Sequence, residues 1–274
     1  MKKIATLLLS LVINLTYAQV NEISIEEASF LDSLSKNFKF LYLNSTYTEM
    51  NAKNRDGFTM DHLFYFRYNL TKNQNIRWVP VYTQSIGQEG KKTLQGEYAY
   101  SSLRWYVNNI LTEDKHGINL NFQNRNYIFD GEDRNSGYDS YHRAYFLSSK
   151  TVADGKLTLE ANTYLQVYNK NGRNPNANTW RTMFGTFAFY NFNDNWSLGF
   201  GGEWYTDHRD GERKSGDDRF VAWLPYLRYA KGDGYVELYA TYTAAQSGDN
   251  DHALIIDDFH KRGTLTLDIG YYFF

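Results

Sequence analysis

Arginine and tyrosine recur at alternate positions along much of this chain, and their side chains have the most distinctive binding chemistry in it. A guanidinium group can hold a carboxylate through two parallel hydrogen bonds. A tyrosine ring can stack on a sugar ring, and its hydroxyl can bond the sugar hydroxyls. Together on one surface, such residues would form a basic track for acidic or neutral oligosaccharides. The candidates for this surface are Arg67, Arg77, Arg104, Arg125, Arg143, Lys156, Glu160, Tyr164, Glu237 and Tyr239.

Carboxylates on comparable positions support a second interpretation of the same pattern. Glu97, Glu160, Glu203, Glu237 and Asp268 alternate with apolar neighbours in the same way as the arginines. Opposite charges facing each other across an enclosed space would neutralise one another and hold that space open. The sequence alone therefore leaves both a specific anion track and a purely structural charge network open.

Alternation with a period of two predicts the elements that carry these residues. Leu265, Leu267 and Ile269 fall on one face of the last segment, while Thr266 and Asp268 fall on the other. About twelve segments have this character, and the first, fourth and tenth do not alternate cleanly enough to assign an inner face. The predicted strands are 37–49, 57–70, 75–86, 92–107, 116–128, 137–149, 155–168, 178–192, 195–208, 217–230, 234–246 and 262–274.

Strand length and termination favour a membrane barrel over a soluble β-sandwich, which would also alternate. Soluble strands cluster near 5–6 residues, whereas these segments are long enough for the roughly 9–11 residues of a membrane span. The connections alternate between long polar loops and mostly short turns, as they do in outer-membrane barrels. We therefore predict an all-β fold: a transmembrane, antiparallel, up-and-down barrel of about twelve strands, with ten to fourteen compatible with the pattern.

The first 36 residues differ from the rest. Residues 1–18 combine a basic start, a short apolar run and a small-residue cleavage site, which predicts a signal peptide. Residues 19–36 are expected to form a periplasmic lead-in, and residues 37–274 the barrel. No later run reaches the roughly 18 apolar residues of a transmembrane helix. We expect the protein to be exported to the cell outer membrane.

Composition excludes several classes of site. The chain has no cysteine, so neither a disulfide framework nor a thiolate metal site can form. A formal net charge of −2 gives no indication of nucleic-acid binding. Aromatic residues make up 18% of the chain and there are only 3 prolines, which favours strands; a mean hydropathy of −0.61 suits a barrel, where only alternate residues face lipid.

Catalytic and calcium sites are the main alternatives for the loops. A carboxylate beside a histidine could activate water at the barrel rim, and the candidate clusters are Asp207-His208-Asp210, Asp251-His252 and Asp257-Asp258-His260. Acidic loop residues near Asp130, Asp207 and Asp249 match no EF-hand spacing. The apolar run 253–256 is expected to extend a strand. We expect no enzyme activity, no cofactor and no bound metal.

Taken together, the signal peptide, the tyrosine-rich strands, the arginines on polar faces and the aromatic C-terminus resemble the small monomeric outer-membrane porins for oligosaccharides. The oligogalacturonate-specific porins and outer membrane porin G are examples, and residues 192–204, with NDNWSLGFGGEW, resemble their turn-and-strand units. One departure is that the outward apolar face ends on Phe273 rather than on Phe274.

This resemblance implies a monomeric pore for passive diffusion of small hydrophilic solutes, in contact with outer-membrane lipid and lipopolysaccharide. Two alternatives remain: an outer-membrane lipase or protease with a rim site, and a closed barrel whose loops bind a partner.

Overall fold

A computed structural model describes residues 36–50, 57–87, 94–129, 137–174, 177–209, 217–246 and 263–273. The chain divides into a unit Met1–Phe38 and a unit Lys39–Phe274, and only residues 36–38 of the first unit are described. The predicted signal peptide and nearly all of the predicted lead-in therefore lie outside the described residues, as does Phe274.

Twelve strands and one short helix make up the described chain, and each strand matches a predicted one to within a few residues. The widest difference is at the fourth strand, which continues to Leu111, followed by the helical turn and a fifth strand that begins only at Asn119. The elements are β1 (Phe38–Glu49), β2 (Phe58–Thr71), β3 (Gln74–Ile86), β4 (Gln95–Leu111), α1 (Glu113–His116), β5 (Asn119–Phe129), β6 (Tyr138–Val152), β7 (Leu157–Lys170), β8 (Asn178–Asn191), β9 (Trp196–Arg209), β10 (Asp217–Lys231), β11 (Gly234–Gln246) and β12 (Gly263–Tyr272).

The strands form one closed antiparallel barrel in which sequence neighbours are also neighbours in the sheet. Closure joins β1 to β12, with register pairs that run from Leu41 and Tyr272 to Glu49 and Thr264. Closure removes both sheet edges, so every strand has a hydrogen-bonding partner on each side. The predicted fold class and the strand number of twelve are confirmed.

Short connections gather at one end of the barrel. Turns at residues 72–73 and 232–233 are tight, and those at 153–156 and 192–195 are only slightly longer. The β4–β5 connection is longer because it contains α1, which ends where Gly117 takes a left-handed φ of 77°. Outer-membrane barrels place their short turns in the periplasm, so we refer to this end as the periplasmic end.

Large apolar side chains cover the outer face of the barrel. Trp78 is 50% exposed, Leu103 52%, Phe184 57% and Phe200 61%, although each sits in the middle of a strand. Exposed apolar residues at alternate strand positions are what lipid contact requires. Among the described residues, no helix is long and apolar enough to cross a membrane.

Polar side chains fill the inner face, which is the reverse of a soluble domain. Arg104 is only 5% exposed, Gln166 1% and Glu203 8%. A soluble core would exclude such groups, since a buried polar group is costly unless it is hydrogen-bonded. The inner face is therefore where the chain concentrates its binding chemistry.

An arginine row and an acidic–aromatic wall inside the barrel

Five arginines lie side by side on five consecutive strands. Register pairs join Arg67 to Arg77, Arg77 to Arg104, Arg104 to Arg125 and Arg125 to Arg143. Because residues that are paired across antiparallel strands project to the same side, all five share the inner face. We call these five residues the arginine row.

Neutral acceptors orient every member of the row through its Nε–H group. Nε of Arg67 donates to Oδ1 of Asn69, that of Arg77 to Oδ1 of Asn75, that of Arg104 to Oγ of Ser102, that of Arg125 to Oε1 of Gln123 and that of Arg143 to Oε1 of Gln166, each at 2.8 Å. In the first four cases the acceptor lies two residues away on the same strand, and therefore on the same face. An amide or hydroxyl acceptor fixes the guanidinium without removing its charge.

No carboxylate among the described residues forms an ion pair with the row. Across the described part of the chain, ion pairs join Arg181 to Asp207 and, at 3.4 Å, Arg228 to Glu237, and neither includes a member of the row. Like charges directly opposite one another in a sheet destabilise it. Five such positions in succession are a cost to folding, and a binding role would explain why the chain retains them.

Tyrosine rings pack against four of the five guanidinium groups of the row, those of Arg77, Arg104, Arg125 and Arg143. The Arg77 guanidinium carbon lies 3.8 Å from the centre of the Tyr106 ring, and that of Arg143 lies 4.2 Å from the Tyr164 ring. Arg125 lies 5.1 Å from Tyr145. Cation–π contact lowers the cost of holding these charges close together. Contact with the rings also restricts rotation of the guanidinium groups.

On the strands that follow Arg143, the paired inward positions carry a neutral amide and then an arginine whose charge is balanced by a carboxylate. Gln166 pairs with both Arg143 and Arg181, and Arg181 pairs with Asp207. Nη2 of Arg181 donates to Oδ2 of Asp207 at 2.8 Å, and its Nε donates to the other carboxylate oxygen. The longest run of inward positive charge thus lies on β2 through β6, and Arg219 on β10 is a separate inward cation whose guanidinium carbon lies 4.8 Å from the centre of the Tyr205 ring.

The opposite part of the inner face is acidic and aromatic. Glu203 is buried, and its Oε2 accepts from the Trp223 indole N–H at 3.1 Å and from the Tyr205 hydroxyl. Tyr239 stacks on Trp223 with ring centres 5.0 Å apart. We call this surface the acidic–aromatic wall; it comprises Glu160, Asn162, Phe187, Phe189, Glu203, Trp223, Tyr226 and Tyr239.

The remaining predicted site residues fall on different parts of the barrel. Tyr164 stacks under Arg143, Glu160 and Tyr239 belong to the acidic–aromatic wall, and Glu237 is held by Arg228. Lys156 requires a correction, because β7 begins only at Leu157 and Lys156 is exposed in the periplasmic turn rather than on a strand face.

Several residues of the wall were not predicted as site residues. Phe187, Trp223 and Tyr226 are aromatic residues in a chain rich in such residues, so their type alone does not mark them. The available signal was the glycine-rich start of β9: a Cβ on Gly201 would collide with the Phe187 ring, which projects inward. Glycines on one strand make room for aromatic rings from the next.

Asp207 and His208, the candidate catalytic residues that the structure describes, do not form a pair. Asp207 faces inward and binds Arg181, whereas the His208 ring stacks on Trp180 on the outer face. Asp210, Asp251, His252, Asp257, Asp258 and His260 lie outside the described residues, as do Asp130, Asp249 and the run 253–256. Within the described ranges, no group of three or more His, Cys, Asp or Glu side chains could hold a metal ion.

Comparison of sequences finds no protein-family model and no curated protein that matches. Comparison of structures finds a crystal structure of an outer membrane channel from Pseudomonas putida F1, with a TM-score of 0.54 at 9% sequence identity, covering 86% of this chain and 96% of that chain. The fold is that of an outer-membrane channel.

A looser similarity is to the KdgM porin in complex with disordered oligogalacturonate, with a TM-score of 0.47 at 9% identity, covering 85% of this chain and 98% of that chain. The predicted resemblance to small outer-membrane porins is confirmed at the level of the fold. The closed barrel and its apolar outer face also confirm the predicted location in the outer membrane.

Proposed function

We propose that this barrel is a passive, anion-selective channel for small hydrophilic solutes. The observation that carries the proposal is the arginine row, whose five guanidinium groups are all oriented by neutral acceptors. Their charge is therefore left available to whatever passes through the lumen.

Charge on the row would act on a solute in two ways. The summed field of five cations inside a low-dielectric wall raises the local concentration of anions. The terminal Nη groups then offer paired donors that match a carboxylate. Because the row repeats the same site from strand to strand, a bound anion can move to the next site, which keeps binding weak enough for transport.

Acidic oligosaccharides are the solute class that best fits both components of the row. Their carboxylates match the guanidinium forks, while their ring faces match the tyrosines that alternate with them, such as Tyr106 and Tyr164. A linear acidic chain could also contact several members of the row at once. Such a chain would gain from multivalency that a single carboxylate lacks.

The proposed channel works without catalysis and without a cofactor, because its role is to provide a path and a field. It works as a monomer, since a single closed barrel encloses the whole row.

Reversal potentials in planar bilayers under a KCl gradient test the proposal. Wild-type protein is expected to prefer chloride. Replacing Arg67 and Arg125 together by glutamine keeps side chains that can still donate hydrogen bonds, but removes two charges. The reversal potential is then expected to move toward that of an unselective pore.

A matched control removes a cation that is already balanced. Arg228 Nε lies 3.4 Å from a Glu237 carboxylate oxygen, so Arg228→Gln should change the preference for chloride less than Arg67→Gln or Arg125→Gln alone. Folded wild-type protein that carries no current would refute the channel itself. An unchanged reversal potential in the double variant would refute the role of the row.

A further inference from the structure

A cavity of about 210 Å³ lies in the acidic–aromatic wall, on the periplasmic side of the arginine row. Tyr145, Glu160, Asn162, Phe187, Glu203 and Trp223 are among its lining residues. Aromatic rings close it on several sides, and besides the tyrosine hydroxyls and the Trp223 indole its polar groups are two carboxylates and one amide. The proposed channel function makes no use of this composition, which is acidic where the row is basic.

Unused acceptors converge on this cavity. Asn162 is 7% exposed, and its Oδ1 has no hydrogen-bond partner in the described structure. Both donors to Glu203 reach its Oε2, and no described group donates to Oε1. Glu160 makes no hydrogen bond and no ion pair with any described residue. Of the three, the Asn162 oxygen is the buried acceptor without a donor, which is costly, and Glu160 is only half-buried. A ligand that supplies donors to all three would be stabilised here.

Backbone pairing brings these three acceptors together. Asn162 and Glu203 both pair with Gly185, one from each side, and Glu160 pairs with Phe187 on the next inward position of β8. A Cβ on Gly185 would lie 3.1 Å from Cγ of Glu203 and 3.2 Å from the Phe187 ring, so glycine leaves space between the two acidic groups. The aromatic floor continues through Trp223, whose ring meets Phe187 edge-on at 5.8 Å.

We infer that this cavity binds the protonated amino group of a small organic solute. A primary ammonium carries the positive charge that two carboxylates favour and three N–H donors, which match Glu160, Asn162 and Glu203 in number. The surrounding rings stabilise a cation through their faces. A neutral alcohol would lack the charge, and a quaternary ammonium would lack the donors that Asn162 requires.

Calorimetric titration of the folded, full-length mature chain in detergent tests this inference, with n-butylammonium chloride as the probe. Saturable binding is expected, with n-butanol and tetramethylammonium binding at least several-fold more weakly. Glu160→Gln removes the charge but keeps the shape, and should weaken binding by about tenfold, as for the loss of a charge-assisted hydrogen bond. Asn162→Leu should weaken it to a lesser extent.

Asp61 provides the matched control. It is another inward carboxylate, it accepts from the Thr83 hydroxyl at 2.6 Å, and it lies on β2, away from the cavity. Asp61→Asn should change the dissociation constant by less than about twofold, because it removes the same charge at another site. An equal loss in Asp61→Asn and Glu160→Gln would show a general lumenal field and overturn the inference. So would equal binding of butanol, or no saturable binding to folded wild-type protein.

Ammonium binding and ion conduction can succeed or fail independently of each other. Ammonium binding is measured without any membrane current, so a barrel that fails to conduct could still bind the probe. Conversely, a chloride-selective pore that does not bind butylammonium would retain its proposed function and lose this site.

Discussion

The arginine row and the acidic–aromatic wall share one lumen, but they carry charges of opposite sign. Along the row, the acceptors that orient the cations are amides and hydroxyls, and every neighbour has the same sign. On the wall, Glu203 is likewise oriented by neutral donors, the Trp223 indole and the Tyr205 hydroxyl. A cation matches a carboxylate only beside the wall, where Arg228 meets Glu237. Pairing stabilises a charge but hides it, whereas a neutral partner orients the charge and leaves it available. The comparison shows that the two sides of the lumen can attract different chemical groups.

Reversing two charges within the row should produce the largest change. In the double variant Arg104→Glu and Arg125→Glu, the new carboxylates face Arg77 and Arg143. Three arginines then remain against two glutamates, so the net charge of the row falls from +5 to +1 and the carboxylates elsewhere in the lumen outweigh it. We expect the pore to change from chloride to potassium preference, seen as a change in the sign of the reversal potential. A pore that stays chloride-selective would show that the field originates elsewhere, for example in the loops.

The next largest effect is expected from overpacking the acidic–aromatic wall, which should lower the stability of the barrel rather than change its selectivity. A Cβ on Gly201 would collide with the Phe187 ring and with the Thr186 carbonyl oxygen. Gly201→Ala is expected to destabilise the barrel by about 1–3 kcal/mol, as overpacking of a tight core does. The measurement is thermal unfolding in detergent. The control is Thr243→Ala, on the same inner face. Another glycine such as Gly155 would not serve, since its φ of 85° means that alanine there adds backbone strain.

Removing one charge from the wall should have a smaller effect on selectivity, opposite in direction to that of the row. Glu203→Gln keeps an acceptor for the Trp223 indole and removes one negative charge from the lumen. The preference for chloride is expected to rise, by less than it falls when one arginine of the row becomes glutamine. A decrease would contradict the assignment of opposite roles to the two surfaces.

Removing the charge of Lys156 should have the smallest effect on ion selectivity. Lys156 is exposed in a periplasmic turn, where solvent and salt screen its charge within about 10 Å at 0.1 M ionic strength. Lys156→Gln is expected to leave the reversal potential unchanged within error. A shift as large as that of a row variant would mean that the turn, rather than the lumen, controls access.

Strand positions and most of the arginine row could be predicted from the sequence, because a period of two places alternate residues on one face without knowledge of the partner strand. Arg67 alternates with Phe66 and Tyr68, and Arg125 with Asn124 and Asn126. The alignment of the five arginines into one row could not be predicted, since it depends on the register between strands. A shift of one residue in any strand would have moved its arginine to the outer face.

The three segments that did not alternate cleanly have two physical causes. β4 shifts its pairing between Tyr100 and Tyr98, which face Val81 and Tyr82 of β3, and β10 shifts between Trp223 and Tyr226. The inward positions therefore change parity within each of these strands. In β1 the usual chemistry is inverted. Leu41 faces the lumen, while Asn44 faces outward and is bonded by the Thr46 hydroxyl at 2.8 Å.

The cavity could not be predicted, because Asn162, Gly185 and Glu203 come from three strands and are polar or small residues common on any inner face. Their juxtaposition is decided by long-range pairing, which no local pattern records.

Because barrel strands tilt by about 35–45° from the barrel axis, a row that crosses them at right angles is a segment of a spiral. Four steps between adjacent strands at about 4.8 Å give a path of roughly 19 Å from Arg67 to Arg143. An anion that follows this path must rotate about the barrel axis as it advances along it. A flexible solute could follow the curve link by link, whereas a rigid rod of the same charge would touch only part of it.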